Sequence, residues 1–573
     1  MKKRQTKKTC CWQQNTVFVF VIFSMLTLLF KISHIIFFDK HDYKTEARKR
    51  QITTVSIPAH RGNIVDRHGE PIAISTPVDT IGAVPKQAIG SATDLSQLAQ
   101  LLGKTEDKLK RDLKNKSHKK YIILKRQVNP TIAQKIKELK ISGIHFKKEY
   151  KRYYLGGETA SQLVGITDKD DEGQEGLEKL YNALLRGEPG KKRILKDNLR
   201  HTLKNISILK KPKEGQDIIL SIDRQLQYQA YRDLKSQVIR HGALSGSIVV
   251  LDPYNGQILA MASVPAFNPN KRSDYFPAGM RNRAMTDLME PGSVIKPFTV
   301  IAALASDRFN LSTTIDTSPG TFKVSNYVIK DIHDNGQTSV ENVLIKSSNI
   351  GSAKIALDLE PNAINTILHK VGFGQNTQSG FPGEMSGTLK DSEKLSKHEL
   401  ATLSFGYNMQ ATLLQVARAY SVIATGGYLP TISFLKKNTK PARVLPATHT
   451  NAVLRVLEKV VSSEEGTGKK ARIAGYTVAG KTGTIKKYSS SGGYSENKYI
   501  SAFAGIAPAS NPKLVCVVVI HEPSKGVYFG GEIAAPVFSK VMEVALRKFN
   551  ISPDMFKHKD IHMDGSQVAW SRK

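Results

Sequence analysis

Three short clusters along the chain have the residue types and the order needed for acyl transfer. The first is Ser293-Val294-Ile295-Lys296, preceded by Glu290-Pro291-Gly292 and followed by Pro297. Residues three apart share a helix face, so a helix beginning near Ser293 sets its hydroxyl one turn from the Lys296 amine. A free serine is a weak nucleophile, and a neutral lysine beside it can take its proton. At the start of a helix the serine also offers its own backbone N–H to a developing oxyanion. Further on stand Ser347-Ser348-Asn349 and then Lys481-Thr482-Gly483-Thr484. Ser347 is placed to relay a proton to a leaving amine, Asn349 to hold a substrate amide, and Lys481 to supply positive charge for a carboxylate. Gly483 lets a substrate backbone lie beside its strand, where the N–H of Thr484 is a second oxyanion donor. The candidate catalytic residues are therefore Ser293, Lys296, Ser347, Asn349 and Lys481, with Thr482, Gly483 and Thr484 binding substrate. A Ser-x-x-Lys match is common by chance; the order of three such clusters is not.

These residues need a sheet and a helical layer to position them. A helical stretch from Ile222 to about Ile239 leads into two apolar runs, Ile248 to Leu251 and Ile258 to Ala262, separated by Asn255-Gly256, the pattern of an antiparallel hairpin. Further strand-like runs, Tyr476 to Ile485, Tyr499 to Ile506 and Leu514 to Ile520, precede a helical pattern from Ala535 to Phe549. Between the two strand groups the sequence reads as helix and loop, which predicts an α/β layered domain with its sheet assembled from both ends. The spacing of Gly475 before Gly480-Lys481-Thr482 also matches a phosphate-binding loop, but such a loop needs a helix after it, and a strand run and a Ser/Gly loop at 489–493 follow instead. Upstream, residues from about Thr53 to Leu220 are Lys-rich and mixed, with helical patches such as Ile132 to Leu139, and read as α+β without a catalytic signature. The tail after Asp554 is expected to be loose.

Lys2, Lys3, Arg4, Lys7 and Lys8 precede an apolar stretch running from Val17 to Phe38 with one interruption at Lys31, about the length a helix needs to cross a bilayer. No small-residue cleavage site follows before the charged run Asp39 to Arg50, so an uncleaved anchor with its basic flank in the cytoplasm is expected. The remaining chain has no second apolar segment of that length. The net charge of +34 favours anionic partners, yet no nucleic-acid module accompanies it. Cys10 and Cys11 lie before the membrane segment, which leaves Cys516, among valines, as an expected buried strand residue. The histidines show no metal-ligand spacing, and neither a metal nor a cofactor is expected.

The trio Ser-x-x-Lys, Ser-x-Asn, Lys-Thr-Gly is the mark of penicillin-binding proteins and serine β-lactamases, and its middle element here reads Ser-Ser-Asn where Ser-Asp-Asn is the other form. With Arg61-Gly62-Asn63-Ile64-Val65-Asp66-Arg67 and Gly69, Arg152-Tyr153-Tyr154, Gly173, Glu175-Gly176 and Glu178 upstream, and Arg281 to Lys296, Ser404 to Tyr407, Lys481 to Lys487 and Asn497 to Ala509 downstream, the chain resembles the class B penicillin-binding proteins, in particular the division-specific FtsI type. Leu155 departs from the proline expected after Arg-Tyr-Tyr. The resemblance implies a serine β-lactamase-like transpeptidase domain, an antiparallel sheet with helical layers, on an elongated α+β pedestal behind a single N-terminal transmembrane helix. The boundaries expected are a cytoplasmic tail at 1–16, the anchor at 17–38, a non-catalytic, dimerisation-type pedestal at 50–220, the transpeptidase domain at 221–553 and the tail at 554–573.

The resemblance further implies a peptidoglycan D,D-transpeptidase that cross-links stem peptides at the division septum through an acyl-enzyme on Ser293, with β-lactams acylating the same serine. It places the protein in the inner membrane with its catalytic domain in the periplasm. It implies a separate glycosyltransferase and other membrane proteins of the division machinery as partners. An elongation-type transpeptidase and a D-Ala-D-Ala carboxypeptidase are the related alternatives. A non-enzymatic scaffold or β-lactam sensor is the alternative of another class, and the presence of Ser293, Lys296 and Lys481 speaks against it.

Overall fold

The computed structural model describes residues 11–39, 41, 45, 51–90, 95–196, 202–488 and 493–555. The tail expected after Asp554 lies outside these from residue 556 on. Cys11–His34 is one α-helix, continued by a π-turn over Ile35–Asp39. It begins earlier than the apolar run because Cys11 to Thr16 contains no helix breaker. Across the helix and its π-turn, Gln14–Asp39 is, at 26 residues, long and apolar enough to cross a membrane.

The chain forms two compact units, the first of which includes this helix. The first takes residues 1–60, 78–149 and 187–214. It contains an antiparallel sheet of Ile52–Ile57, Gly190–Lys196 and Thr202–Lys210. It also contains a small core in which Ile81, Leu98, Leu109, Leu124 and Ile136 are buried together. The patch read as helical at Ile132 to Leu139 is a helix over Pro130–Glu138, opened by the Asn129 side chain capping the Thr131 N–H.

The second unit takes residues 61–77, 150–186 and 215–573. Its centre is a five-stranded antiparallel sheet: β1 Ser245–Leu251, β2 Ile258–Val264, β3 Ala479–Tyr488, β4 Tyr494–Ala507 and β5 Leu514–His521, in the spatial order β2-β1-β5-β4-β3. Alternate residues point to opposite faces. Ile248 and Val250 on β1, with Cys516, Val518 and Ile520 on β5, face a core shared with α1 (Arg224–Arg240) and the C-terminal helix Gly530–Lys548. Val249, Leu251, Val515, Val517 and Val519 face the other way, into the helical insert. That insert holds α2 (Lys296–Ala305), α3 (Asn349–Asp358), α4 (Leu413–Ala424) and α5 (Ala447–Ser462), which precede the C-terminal helix, α6. A sheet with a helical layer on each face is the mixed α/β architecture expected. Cys516 is fully buried on β5, and burial pushes its thiol pKa up.

Two details differ from the sequence expectation. The β1–β2 connection is wider than an Asn-Gly turn: the ladder ends at Leu251↔Ile258, and the Asp252 carboxylate accepts from the Tyr254 and Asn255 N–H groups. Pro253 has no N–H to continue a ladder, so the strand stops before it. Strand β3 starts at Ala479, three residues late, because Tyr476 is drawn into a bridge with Ile473; it then runs on to Tyr488, pairing with β4.

The upstream residues that carry the resemblance also meet in this unit. Arg61 and Arg152 both reach the buried Glu178 carboxylate, at 2.6 and 2.7 Å, and Arg152 Nη1 donates to the Gly62 carbonyl at 2.8 Å.

Candidate active site

Ser293 sits on a 3₁₀ turn, Gly292–Ile295, that runs directly into α2 at Lys296. The expectation of a helix starting at Ser293 is corrected by one turn, since Pro297 in the first turn of α2 suits a helix start and leaves the residues before it in a tighter coil. Three contacts hold this turn. The Gly292 N–H donates to the Gly406 carbonyl at 3.1 Å, the Tyr420 hydroxyl of α4 donates to the Val294 carbonyl at 2.8 Å, and Val294 packs against Gly483 of β3. Gly292 has φ +63°, and a Cβ there would lie 2.3 Å from Ile485 Cγ1. The sequence therefore brings the Ser293 turn and the strand together by removing side chains at the closest approach.

Lys296 and Lys481 are both 0% exposed. Lys296 Nζ donates to the Ser347 carbonyl at 2.5 Å and to Asn349 Oδ1 at 2.8 Å, with Ser347 Oγ at 3.3 Å. Lys481 Nζ reaches the same Ser347 Oγ at 2.8 Å. Four of the five candidate catalytic residues thus share one network, in which both lysines are buried and Ser347 and Asn349 half-buried. Ser293, half-buried, is one turn from Lys296, and its hydroxyl has no hydrogen-bond partner among the described residues.

Along β3, Lys481 and Gly483 face the nucleophile turn. The side chains of Thr482 and Thr484 are engaged elsewhere: Thr482 Oγ1 lies 2.8 Å from Thr467 Oγ1, and Thr484 Oγ1 accepts from the Gly530 N–H at 3.1 Å. β3 is the edge of the sheet, so it keeps outward backbone groups for an extended peptide. The phosphate-loop reading is excluded by this strand geometry and by the burial of Lys481.

Residues 246–543 match the family model for the penicillin binding protein transpeptidase domain, and residues 56–220 match that for the penicillin-binding protein dimerisation domain. The chain belongs to the class B penicillin-binding proteins. It is similar to the probable peptidoglycan D,D-transpeptidase PbpC of Pseudomonas aeruginosa, 39% identical over 548 residues that cover 95% of this chain and 97% of that one. It is also similar to the peptidoglycan D,D-transpeptidase FtsI of Escherichia coli K12, 38% identical over 516 residues, 89% of this chain and 87% of that one. Among solved structures, penicillin binding protein 3 of Mycobacterium tuberculosis complexed with aztreonam superposes with a TM-score of 0.68 at 25% identity, covering 87% of this chain and 98% of that one. The enzyme class read from the sequence, a serine acyl-transferring D,D-transpeptidase, is that of the family.

In this penicillin-binding protein the two lysines are far from their ordinary state. Burial pulls Lys296 well below the usual lysine range; the Lys481 charge adds to that, and the Asp331 carboxylate opposes it. Burial brings Lys481 down to about 7. Sequence reasoning missed several residues that shape the site. Asp331 accepts from the Ser348 hydroxyl at 2.5 Å and from the Asn349 and Ile350 N–H groups, which fixes the start of α3. Ser347, just before, is held at φ +62°, a conformation rare outside glycine. Asp331 stands in an ordinary polar run, Lys330 to Asn335, and no spacing rule singles it out. Tyr420 was equally silent, whereas Phe405, whose ring centroid lies 6.0 Å from Lys296 Nζ, falls in the Ser404 to Tyr407 run that carries the resemblance.

Proposed function

We propose that this protein cross-links peptidoglycan stem peptides at the division septum, with Ser293 carrying the acyl group. The observation that bears most on this reading is the single network joining Lys296, Ser347, Asn349 and Lys481 beside the Ser293 turn. A neutral lysine amine has two N–H donors and one lone pair. Two carbonyl oxygens, of Ser347 and Asn349, occupy the donors of Lys296, which leaves its lone pair to take the Ser293 proton. Ser293 Oγ attacks the penultimate D-Ala carbonyl, whose oxygen is met by the backbone N–H groups of Ser293 and Thr484. Ser347 Oγ hands a proton to the departing D-alanine amine and regains one from Lys296, 3.3 Å away, while Lys481 keeps its charge for the D-alanine carboxylate. An amine from a second stem then replaces Ser293 on the acyl group. β-Lactams acylate the same hydroxyl.

In this reading, residues 1–16 are cytoplasmic, 17–38 anchor the chain in the inner membrane, 50–220 form the pedestal, 221–553 catalyse in the periplasm and 554–573 are a tail. The basic flank before the anchor supports that orientation. A separate glycosyltransferase supplies the glycan strands, and other division proteins dock on the pedestal.

The test uses the full-length protein in detergent with an acyl-D-Ala-D-Ala donor and an added amine. Release of D-alanine with formation of the amide product is expected. Release with only the hydrolysed acid would replace cross-linking by carboxypeptidase activity, and no release would sink the enzymatic reading.

A further inference from the structure

The three-stranded sheet of the first unit ends in a strand that acyl transfer does not use. This edge strand, Thr202–Lys210, pairs with Gly190–Lys196 along a ladder whose register shifts three times. Lys191 faces Lys210 and Lys192 faces Ile208, which skips Leu209. Arg193 faces Ser207 and Ile194 faces Asn205, which skips Ile206. Leu195 faces Lys204 and Lys196 faces Thr202, which skips Leu203. All three skipped residues are apolar, and Leu203, Ile206 and Leu209 are 62%, 45% and 48% exposed. Ile208, between two of them, is exposed as well. A contiguous apolar row left in water marks a surface that something else covers.

The bulges and the charge say what that is. A regular edge strand offers an unbroken row of N–H and C=O groups to an incoming strand, whereas three bulges in so short a strand interrupt that row and twist the edge. The edge is therefore not built for strand addition. Residues 187–214, which hold both strands, carry nine Lys and Arg against three Asp and Glu. Lys210 and Lys213 reach Glu188 at 2.7 and 3.7 Å. Lys191, Arg193, Lys204 and Lys211 are exposed and meet no carboxylate among the described residues. Apolar side chains interleaved with unpaired cations suit the boundary between phospholipid headgroups and acyl chains. Such a surface lies within reach. The apolar helix belongs to the same unit, and only residues 40–51 separate Asp39 from Ile52, the residue paired with Leu195, a span of at most about 45 Å.

We propose that this sheet edge docks on an anionic phospholipid leaflet, with Leu203, Ile206, Ile208 and Leu209 entering the headgroup boundary and Lys191, Arg193 and Lys204 meeting lipid phosphates. The inference rests on the anchored reading of the N-terminal helix and adds a second, reversible contact with the same bilayer. The helix holds the chain at the membrane whatever the lipid charge, while the sheet edge responds to it, and salt weakens only the second contact.

The experiment places the full-length protein, one copy per disc, in nanodiscs of phosphatidylcholine alone or of equimolar phosphatidylcholine and phosphatidylglycerol, and follows amide hydrogen exchange by mass spectrometry. Exchange over residues 203–210 is expected to slow at least fivefold in the anionic discs, with the strand Ala479–Tyr488 unchanged. The contrast between discs is expected to vanish when Leu203→Ser, Ile206→Ser and Leu209→Ser are combined, and separately when Lys191→Gln, Arg193→Gln and Lys204→Gln are combined. Protection of the helix Leu95–Leu102, in the same unit, reports that each variant is folded. Equal exchange of the wild type in the two discs overturns the proposal without need of a variant. So does a full contrast retained by either folded variant. Protection that persists in detergent and grows with protein concentration also overturns it and assigns the row to a second copy of the chain. If the protein does not enter the discs, the anchored reading falls and takes this one with it.

Discussion

Lys296 and Lys481 lie in the same dry pocket and converge on one hydroxyl, Ser347 Oγ. Two ammonium groups so placed repel each other without water to screen them, so the pair titrates as a unit and holds fewer protons than two free lysines. In the proposed mechanism acylation needs Lys296 neutral and Lys481 charged. Its rate therefore climbs with pH as Lys296 deprotonates, well below the ordinary lysine value, and falls again as Lys481 loses its proton at about 7. Stopped-flow acylation by penicillin across pH 5 to 10 is expected to give a bell whose alkaline limb is centred at about pH 7. In Lys481→Arg, whose guanidinium stays charged, the alkaline limb should vanish even if the overall rate is lower. A rate that keeps rising to pH 10 in the wild type would remove Lys481 from the charged role. The same shift bears on folding with a definite sign. Between about 7 and the ordinary 10.5, the unfolded chain holds the proton that folded Lys481 has lost, so this residue's contribution to stability rises with pH.

At the scale of elements, the site depends on how closely the Gly292–Ile295 turn approaches β3. Gly292→Ala asks a side chain to adopt φ +63° and to displace Ile485, at a cost of about 2–4 kcal/mol. A fall in melting temperature and loss of most acylation are expected together. Tyr420→Phe keeps the packing around Phe298 and removes only the donor to the Val294 carbonyl, at about 1–2 kcal/mol. It should slow acylation several-fold with a small change in melting temperature; an unchanged rate would mean the turn is fixed without Tyr420. These supports explain what was legible beforehand. The strands of the sheet, α1 and α6 follow from apolar runs and their periods, and the Ser-x-x-Lys, Ser-Ser-Asn and Lys-Thr-Gly clusters from their order. Tyr420 and Asp331 come from separate parts of the insert, and each acts through a tertiary contact that leaves no local pattern. The same holds for Thr482 and Thr484: their place on β3 is readable, but only the fold shows their side chains turned toward Thr467 and Gly530.

For the whole molecule, the sheet draws β1 and β2 from one end of a long insert and β3 to β5 from the other, so residues far apart in sequence close around one hydroxyl. The buried ion cluster of Arg61, Arg152 and Glu178 belongs to the same compact unit although it is read from the upstream region. Breaking one partner of such a buried group leaves an unpaired charge. The upstream residues of the resemblance therefore pack in the same compact unit as the five-stranded sheet. In the proposed mechanism all of this serves a single covalent event at Ser293. The measurement that addresses it most directly is the intact mass of the full-length protein after incubation with a labelled penicillin, beside Ser293→Ala, followed by peptide mapping of the label. A stable adduct on the wild type, confined to the peptide bearing Ser293 and missing from the variant, is the result predicted. Label on another residue, or an equal adduct on Ser293→Ala, would contradict the account.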